Sequence, residues 1–235
     1  MVHIGVQPRV WSCGMSKGEE KKMKTKKPLG YYDYTVVLTY MGMLCSFIAI
    51  MLSINENFLD AIIFLMMAGV CDMFDGTIAN TKDRTPSEKR FGIQIDSLSD
   101  LISFGVMPAV FVYMITGKSI VGGAIAALFA LAALIRLAYF NVNEEERQQQ
   151  TNEKRTVFQG LPVTSIAVLL PVVFWLQGSG KIHSMISYML LLVLCGALFL
   201  SPFEIKKPNL VGKICLIVVG VLEFLGVFFL GWDLV

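Results

Sequence analysis

Two short stretches decide how this chain is read: CDMFDGTIAN at residues 71–80 and FGIQIDSLSD at residues 91–100. Asp72 and Asp75 are spaced i,i+3, whereas Gly92, Asp96 and Asp100 are spaced i,i+4,i+8. On helices each set falls on one face, because residues three and four apart are neighbours on a helix surface. The connection between them carries Lys82, Arg84, Lys89 and Arg90, and Pro86 breaks any continuous helix. Two antiparallel helices joined there aim four carboxylates at one small volume.

The surroundings of these stretches are apolar. The chain has 235 residues, 55% of them hydrophobic and only 16% charged, and its mean hydropathy is +0.64. Soluble domains run nearer a quarter charged, so the composition points to lipid as the solvent. A span needs about 20 mostly apolar residues. Seven stretches qualify or nearly so: 33–54, 57–79, 93–115, 119–140, 161–177, 183–203 and 210–231. A soluble helical protein would show polar faces at helical spacing, yet 124–134 and 214–221 are apolar all round. The expected fold is therefore all-α, a polytopic transmembrane helical bundle.

Charge distribution orients it. With the N-terminus inside, the segments 1–32, 80–92, 141–160 and 204–213 hold 17 Lys or Arg, whereas the outside segments hold only Lys118 and Lys181. That asymmetry is a positive-inside signal, which puts the N-terminus and the aspartates on the cytoplasmic side. The remaining cation, Arg136, lies within a span and faces protein or water rather than lipid.

Residues 1–29 form a polar segment with a basic run at Lys21, Lys22, Lys24, Lys26 and Lys27. They read as a solvated, topology-setting tail or as an interfacial segment drawn to anionic headgroups. Met15 begins a run resembling a natural start, so residues 1–14 are expected to be a dispensable extension. Residues 30–235 form the transmembrane domain. The stretch 143–155, nearly all charged or amide, is expected to be an exposed loop. The five cysteines show neither metal nor disulfide spacing.

A single carboxylate at membrane depth costs about 2.5–3.5 kcal/mol, and four facing each other add repulsion. Divalent cations are the natural counter-ions, because hard oxygen ligands suit Mg²⁺, Mn²⁺ or Ca²⁺. Four carboxylates suit one or two such ions, and two-metal sites serve phosphoryl chemistry. Gly76 and Gly92 leave backbone open where a phosphate-bearing ligand comes close. Two other readings compete: ordinary interfacial charges and a cation-transport path.

The pattern Asp72-x-x-Asp75-Gly76-x-x-Ala79, then Gly92-x-x-x-Asp96-x-x-x-Asp100, resembles the signature of the CDP-alcohol phosphatidyltransferases. The sequence after Asp96, the run from Arg136 to Asn141 and Gly160-Leu-Pro162 are similar to the phosphatidylserine synthase branch of that family. The resemblance covers roughly residues 30–200. It implies a six-helix core, with 210–231 as an extra C-terminal span.

It also implies transfer of a phosphatidyl group from CDP-diacylglycerol to L-serine, giving phosphatidylserine and CMP. Rival acceptors are inositol phosphate and glycerol phosphate; a non-catalytic or ion-translocating protein is the alternative class. Mg²⁺ or Mn²⁺ is the implied cofactor. Asp72, Asp75 and Asp96 are the implied ligands, and Asp100 is ligand or general base. Gly76, Ala79, Asn80 and Gly92 would line the nucleotide pocket. The family carries arginine where this chain has Asn80, so Arg84 or Lys82 is expected to supply that charge. Arg136 is expected to contact a phosphate or the serine carboxylate, or else to form a structural ion pair. Relatives are often homodimers, so a homodimer in membrane lipid is expected, with no nucleic-acid partner.

Overall fold

The computed structural model describes residues 30–79, 81–150, 157–178, 185–206, 220, 222, 225 and 226. The tail 1–29, Asn80 and nearly all of the expected span 210–231 lie outside these residues.

The described chain is an all-α bundle. Helices α1 (Tyr34–Ile54) and α2 (Phe58–Ala79) form a hairpin, followed by α3 (Pro86–Asp100). A π-helical turn, Leu101–Val106, joins α3 to α4 (Met107–Ile115). Next come α5 (Ile120–Gln150), a 3-10 turn leading into α6 (Ile166–Gly178), and α7 (Ile186–Leu200). Among the described residues, four helical stretches are long and apolar enough to cross a membrane: Tyr34–Ile54, Phe58–Ala79, Pro86–Ile115 and Ile120–Arg147. The protein is an integral membrane protein. Val163–Gly178 and Ile186–Leu200 are shorter apolar helices where fifth and sixth spans were expected.

The α1–α2 hairpin shows how lipid changes the packing rule. The buried face of α1 is small or polar, with Thr39, Gly42, Ser46, Ala49 and Ser53. Its exposed face carries Met41, Leu44, Phe47 and Met51. Inside a bilayer large apolar groups gain nothing by leaving lipid, so small residues take the interface and let backbones approach. A Cβ on Gly42 would stand 3.3 Å from the Cβ of Cys71 on α2, and one on Gly69 3.0 Å from Ala167 on α6.

Two boundaries differ from expectation. The third helix begins at Pro86, not 93, because Thr85 caps it. The Thr85 backbone N–H donates to the Glu88 carboxylate at 2.7 Å, and the Glu88 N–H donates to the Thr85 hydroxyl at 3.3 Å. This capping box, with proline in the first turn, starts a helix whatever its hydropathy. The fourth long helix runs to Gln150, so the first part of 143–155 is helix and not loop. Its glutamates and glutamines are good helix formers, and Arg147 pairs with Glu144 one turn away.

A small two-stranded ribbon adds to the helices. Strands β1 (Val157–Gln159) and β2 (Glu204–Lys206) pair antiparallel. Beside them Gly160, at φ +68°, packs on the end of α7, where a Cβ would come within 2.9 Å of the Phe199 carbonyl. Its N–H donates to the Phe203 carbonyl at 2.8 Å, and Leu161 N–H donates to that of Leu198 at 3.1 Å. Gly160-Leu-Pro162 thus fixes the entry to α6 against the exit of α7.

Two contacts set the register of α3 and the π-helical turn against α5. The Ser97 hydroxyl donates to the Asn141 side-chain oxygen at 2.7 Å. A Cβ on Gly105 would stand 3.2 Å from that of Ala133. As residue numbers rise on one helix they fall on the other, so the pair runs antiparallel. Arg136 consequently lies level with Ile102, about 3 Å along the axis from Asp100 at 1.5 Å per residue.

Candidate active site

The four aspartates come from two helices that meet at one end of the bundle. Asp72 and Asp75 lie in the last two turns of α2, which ends where Thr81 turns back, its N–H and hydroxyl donating to the Ile78 carbonyl at 3.0 and 2.7 Å. Asp96 and Asp100 lie in the last two turns of α3. Carboxylate oxygens of Asp72, Asp96 and Asp100 lie within 4.8 Å of one another, all three side chains half-buried. The carboxyls of Asp72 and Asp100 are within hydrogen-bonding reach, as are those of Asp75 and Asp96. Asp75 is buried beside the trio and accepts a hydrogen bond from the Thr39 hydroxyl at 3.2 Å.

Next to this cluster is an open cavity of about 220 Å³. Thr35, Val36 and Thr39 of α1 form one wall, Asp75, Gly76 and Ala79 of α2 the second, and Gly92, Ile93 and Asp96 of α3 the third. Arg84, from the α2–α3 connection, completes the lining. A Cβ on Gly76 would meet nothing within 4 Å, so that backbone is open. A Cβ on Gly92 would stand 2.9 Å from a guanidinium nitrogen of Arg84. Glycine at 92 is what gives Arg84 its place against α3.

The two candidate cations of the connection are separated by their partners. The Lys82 ammonium donates to Asp33, just ahead of α1, and lies 3.8 Å from Glu88 on α3. The hydrogen bond from Lys82 holds the Asp33 carboxyl below its ordinary 3.8, and the same bond holds the Lys82 ammonium above 10.5. Lys82 therefore ties the connection to the starts of α1 and α3. Arg84 alone of the two lines the cavity.

Asp75, Gly76, Ala79, Arg84, Gly92 and Asp96 thus gather around one cavity, with Asp72 and Asp100 beside it. Arg136 does not line that cavity; it is buried on the face of α5 that also buries Phe129, Ala132 and Ala133. Asn80 lies outside the described residues. Sequence reasoning missed Thr35 and Thr39. Their signal was there: two threonine hydroxyls one turn apart in the first turns of a mostly apolar span.

The donor set fits a hard divalent cation. Such ions take oxygen ligands at about 2.0–2.6 Å, so two oxygens on one ion lie no more than about 5 Å apart. The trio meets that limit, and Asp75 adds a fourth carboxylate beside it. Softer metals would call for sulfur or imidazole, and neither cysteine nor histidine lines the cavity.

Comparison with known proteins agrees with this geometry. Residues 35–202 match the family model for CDP-alcohol phosphatidyltransferase. A CDP-diacylglycerol–serine O-phosphatidyltransferase of Helicobacter pylori is 30% identical over 183 residues, 75% of this chain and 70% of that protein. One of the same name from Methanocaldococcus jannaschii is 31% identical over 208 residues, 85% of this chain and 88% of its own. An archaetidylserine synthase of Methanothermobacter thermautotrophicus is 28% identical over 191 residues, covering 81% and 76%. With the match running from α1 through α7 and spanning the whole aspartate cluster, the chain belongs to the CDP-alcohol phosphatidyltransferase family.

Proposed function

We propose that this protein transfers the phosphatidyl group of CDP-diacylglycerol to L-serine, releasing phosphatidylserine and CMP. The observation that carries the reading is the meeting of two aspartate pairs beside a glycine-walled cavity with one arginine in its lining. The names of the relatives support serine as acceptor. The 17-to-2 distribution of cations supports a cytoplasmic site.

Asp72, Asp75, Asp96 and Asp100 would hold Mg²⁺ or Mn²⁺. Such an ion, when bound, supplies neutralisation of the diphosphate and stabilisation of the departing CMP. The protein's own groups account for the rest. Arg84 reaches the cavity as a planar, permanently charged donor suited to a phosphate oxygen. Gly76 and Gly92 let the nucleotide's phosphates approach backbone. The cavity holds only part of such a substrate, so the acyl chains lie outside it in lipid.

The serine hydroxyl is a poor nucleophile and needs a base in reach. Asp100, the last of the four, takes the hydroxyl proton as the serine oxygen attacks the phosphorus bearing diacylglycerol. The bond from that phosphorus to the CMP oxygen breaks, and CMP leaves with the electron pair. Arg136, level with the residue two beyond Asp100, suits the serine carboxylate.

The test is CMP release from CDP-diacylglycerol by purified protein with Mn²⁺ or Mg²⁺, comparing serine, inositol phosphate and glycerol phosphate. Serine-dependent release abolished by EDTA is the expected outcome. Release with another acceptor overturns the acceptor; silence with all three overturns the catalytic reading.

A further inference from the structure

Thr39 joins three helices at one point. Its side chain is 7% exposed, on the inward face of α1. The hydroxyl donates to Oδ2 of Asp75 on α2 at 3.2 Å. Its backbone carbonyl accepts from the hydroxyl of Ser99 on α3, also buried, at 3.2 Å. Ser99 directly precedes Asp100, and Asp75 lies within reach of Asp96. One residue outside the aspartate pattern thus contacts both helices that carry it.

We propose that Thr39 is a positioning residue that sets the cation affinity of the aspartate cluster by fixing Asp75 through its hydroxyl. The inference rests on the cluster being a divalent-cation site. A carboxylate has several lone-pair directions, and a ligand swings between them unless its second oxygen is held. Here the Thr39 hydroxyl holds Oδ2 of Asp75, which limits how far that carboxylate can swing relative to the cluster. Thr39 itself is anchored, since a β-branched side chain on a helix has few rotamers. The Ser99 contact holds α3 to the same turn of α1, so the two aspartate pairs keep one spacing.

The competing account is that Thr39 only packs helices together, as hydroxyls do in membranes. The two differ in what the Thr39→Val variant loses. Val keeps the shape and the carbonyl contact to Ser99 but cannot donate to Asp75.

The experiment is Mn²⁺ titration, read by electron paramagnetic resonance, on the purified full chain in detergent, with melting temperature measured on the same samples. The set is wild type, Thr39→Val, Thr39→Ser and Asp96→Asn. Loss of a residue that orients a ligand weakens metal affinity about 10–100-fold. Thr39→Val is expected in that range, and Thr39→Ser within about threefold of wild type, because it keeps the hydroxyl. Thr39→Val binding Mn²⁺ as tightly as wild type, while Asp96→Asn does not, overturns the role of Thr39 alone. Wild type and Asp96→Asn binding alike overturns the cation site and this inference with it. Should Thr39→Val not fold, Thr39→Ala tests the same loss of donor, and tight binding by it overturns the proposal equally.

Discussion

The two ends of the bundle are built on opposite terms. At one end Phe111 meets Phe58, Phe174 and Tyr188 edge-on at centroid distances of 5.4, 6.1 and 6.2 Å. Short turns close that end, and the ion pair linking them, Glu56 to Lys118 at 3.2 Å, is largely exposed. At the other end four carboxyls crowd together beside an open cavity and two glycines. The first end gains from every contact it makes. The second holds like charges in proximity, an arrangement that costs stability and is retained where chemistry needs it.

The largest effect that could break this contrast is in the aspartates. Asp96→Asn should lower CMP release by about 10³-fold, equivalent to about 4 kcal/mol of transition-state stabilisation. Its melting temperature without added metal should match or exceed wild type, because one facing charge is gone. A variant that melts much lower would make the cluster a structural element. Next comes Phe111→Ala, which opens a cavity at the aromatic end and should destabilise by about 3 kcal/mol. Its Michaelis constant for CDP-diacylglycerol should not move, and a clear rise would show the two ends to be coupled.

The third prediction sharpens the role of the α2–α3 connection. Arg84→Gln should raise the Michaelis constant for CDP-diacylglycerol about tenfold, the scale of one hydrogen bond to a charged group. Lys82→Gln should change it much less, because Lys82 is held by Asp33 and Glu88. The reverse order would move the phosphate contact to Lys82. The smallest effect concerns that anchor. Asp33 has its folded value below the ordinary 3.8, so its contribution is full above that value and is lost as pH falls through the folded one. Asp33→Asn should melt slightly below wild type at neutral pH and converge with it in acid below pH 3.8. A gap that persists unchanged in acid would show that charge is not its source.

The sequence made some of these features plain and hid others for physical reasons. The helices that carry the aspartates were legible because apolar length marks a span and i,i+3 and i,i+4 spacings mark a face. The true start of α3 was also written in the chain, in Thr85, Pro86 and Glu88, but hydropathy is blind to a polar first turn. The extension of α5 was masked likewise, since charged residues favour water and helix alike. Lys82 and Arg84 sit two residues apart in one connection, and the hydrogen bond that sets Lys82 aside goes to Asp33, 49 residues before it. Thr39 was hidden by distance too: its partners stand 36 and 60 residues away.

The π-helical turn at Leu101–Val106 follows Asp100 directly and gives way to α4, which carries Pro108 in its first turn, where a missing N–H costs least. A π-helical turn holds one more residue than an α-helix, and one residue is about 100° of rotation. It acts as a phase shifter within a single span. Upstream, the helix is free to turn its carboxyls toward α2; downstream, the same helix turns Met107, Phe111 and Val112 into the core. Chemistry and packing each receive their own angular setting, so residues of the core can be exchanged without re-aiming the acids.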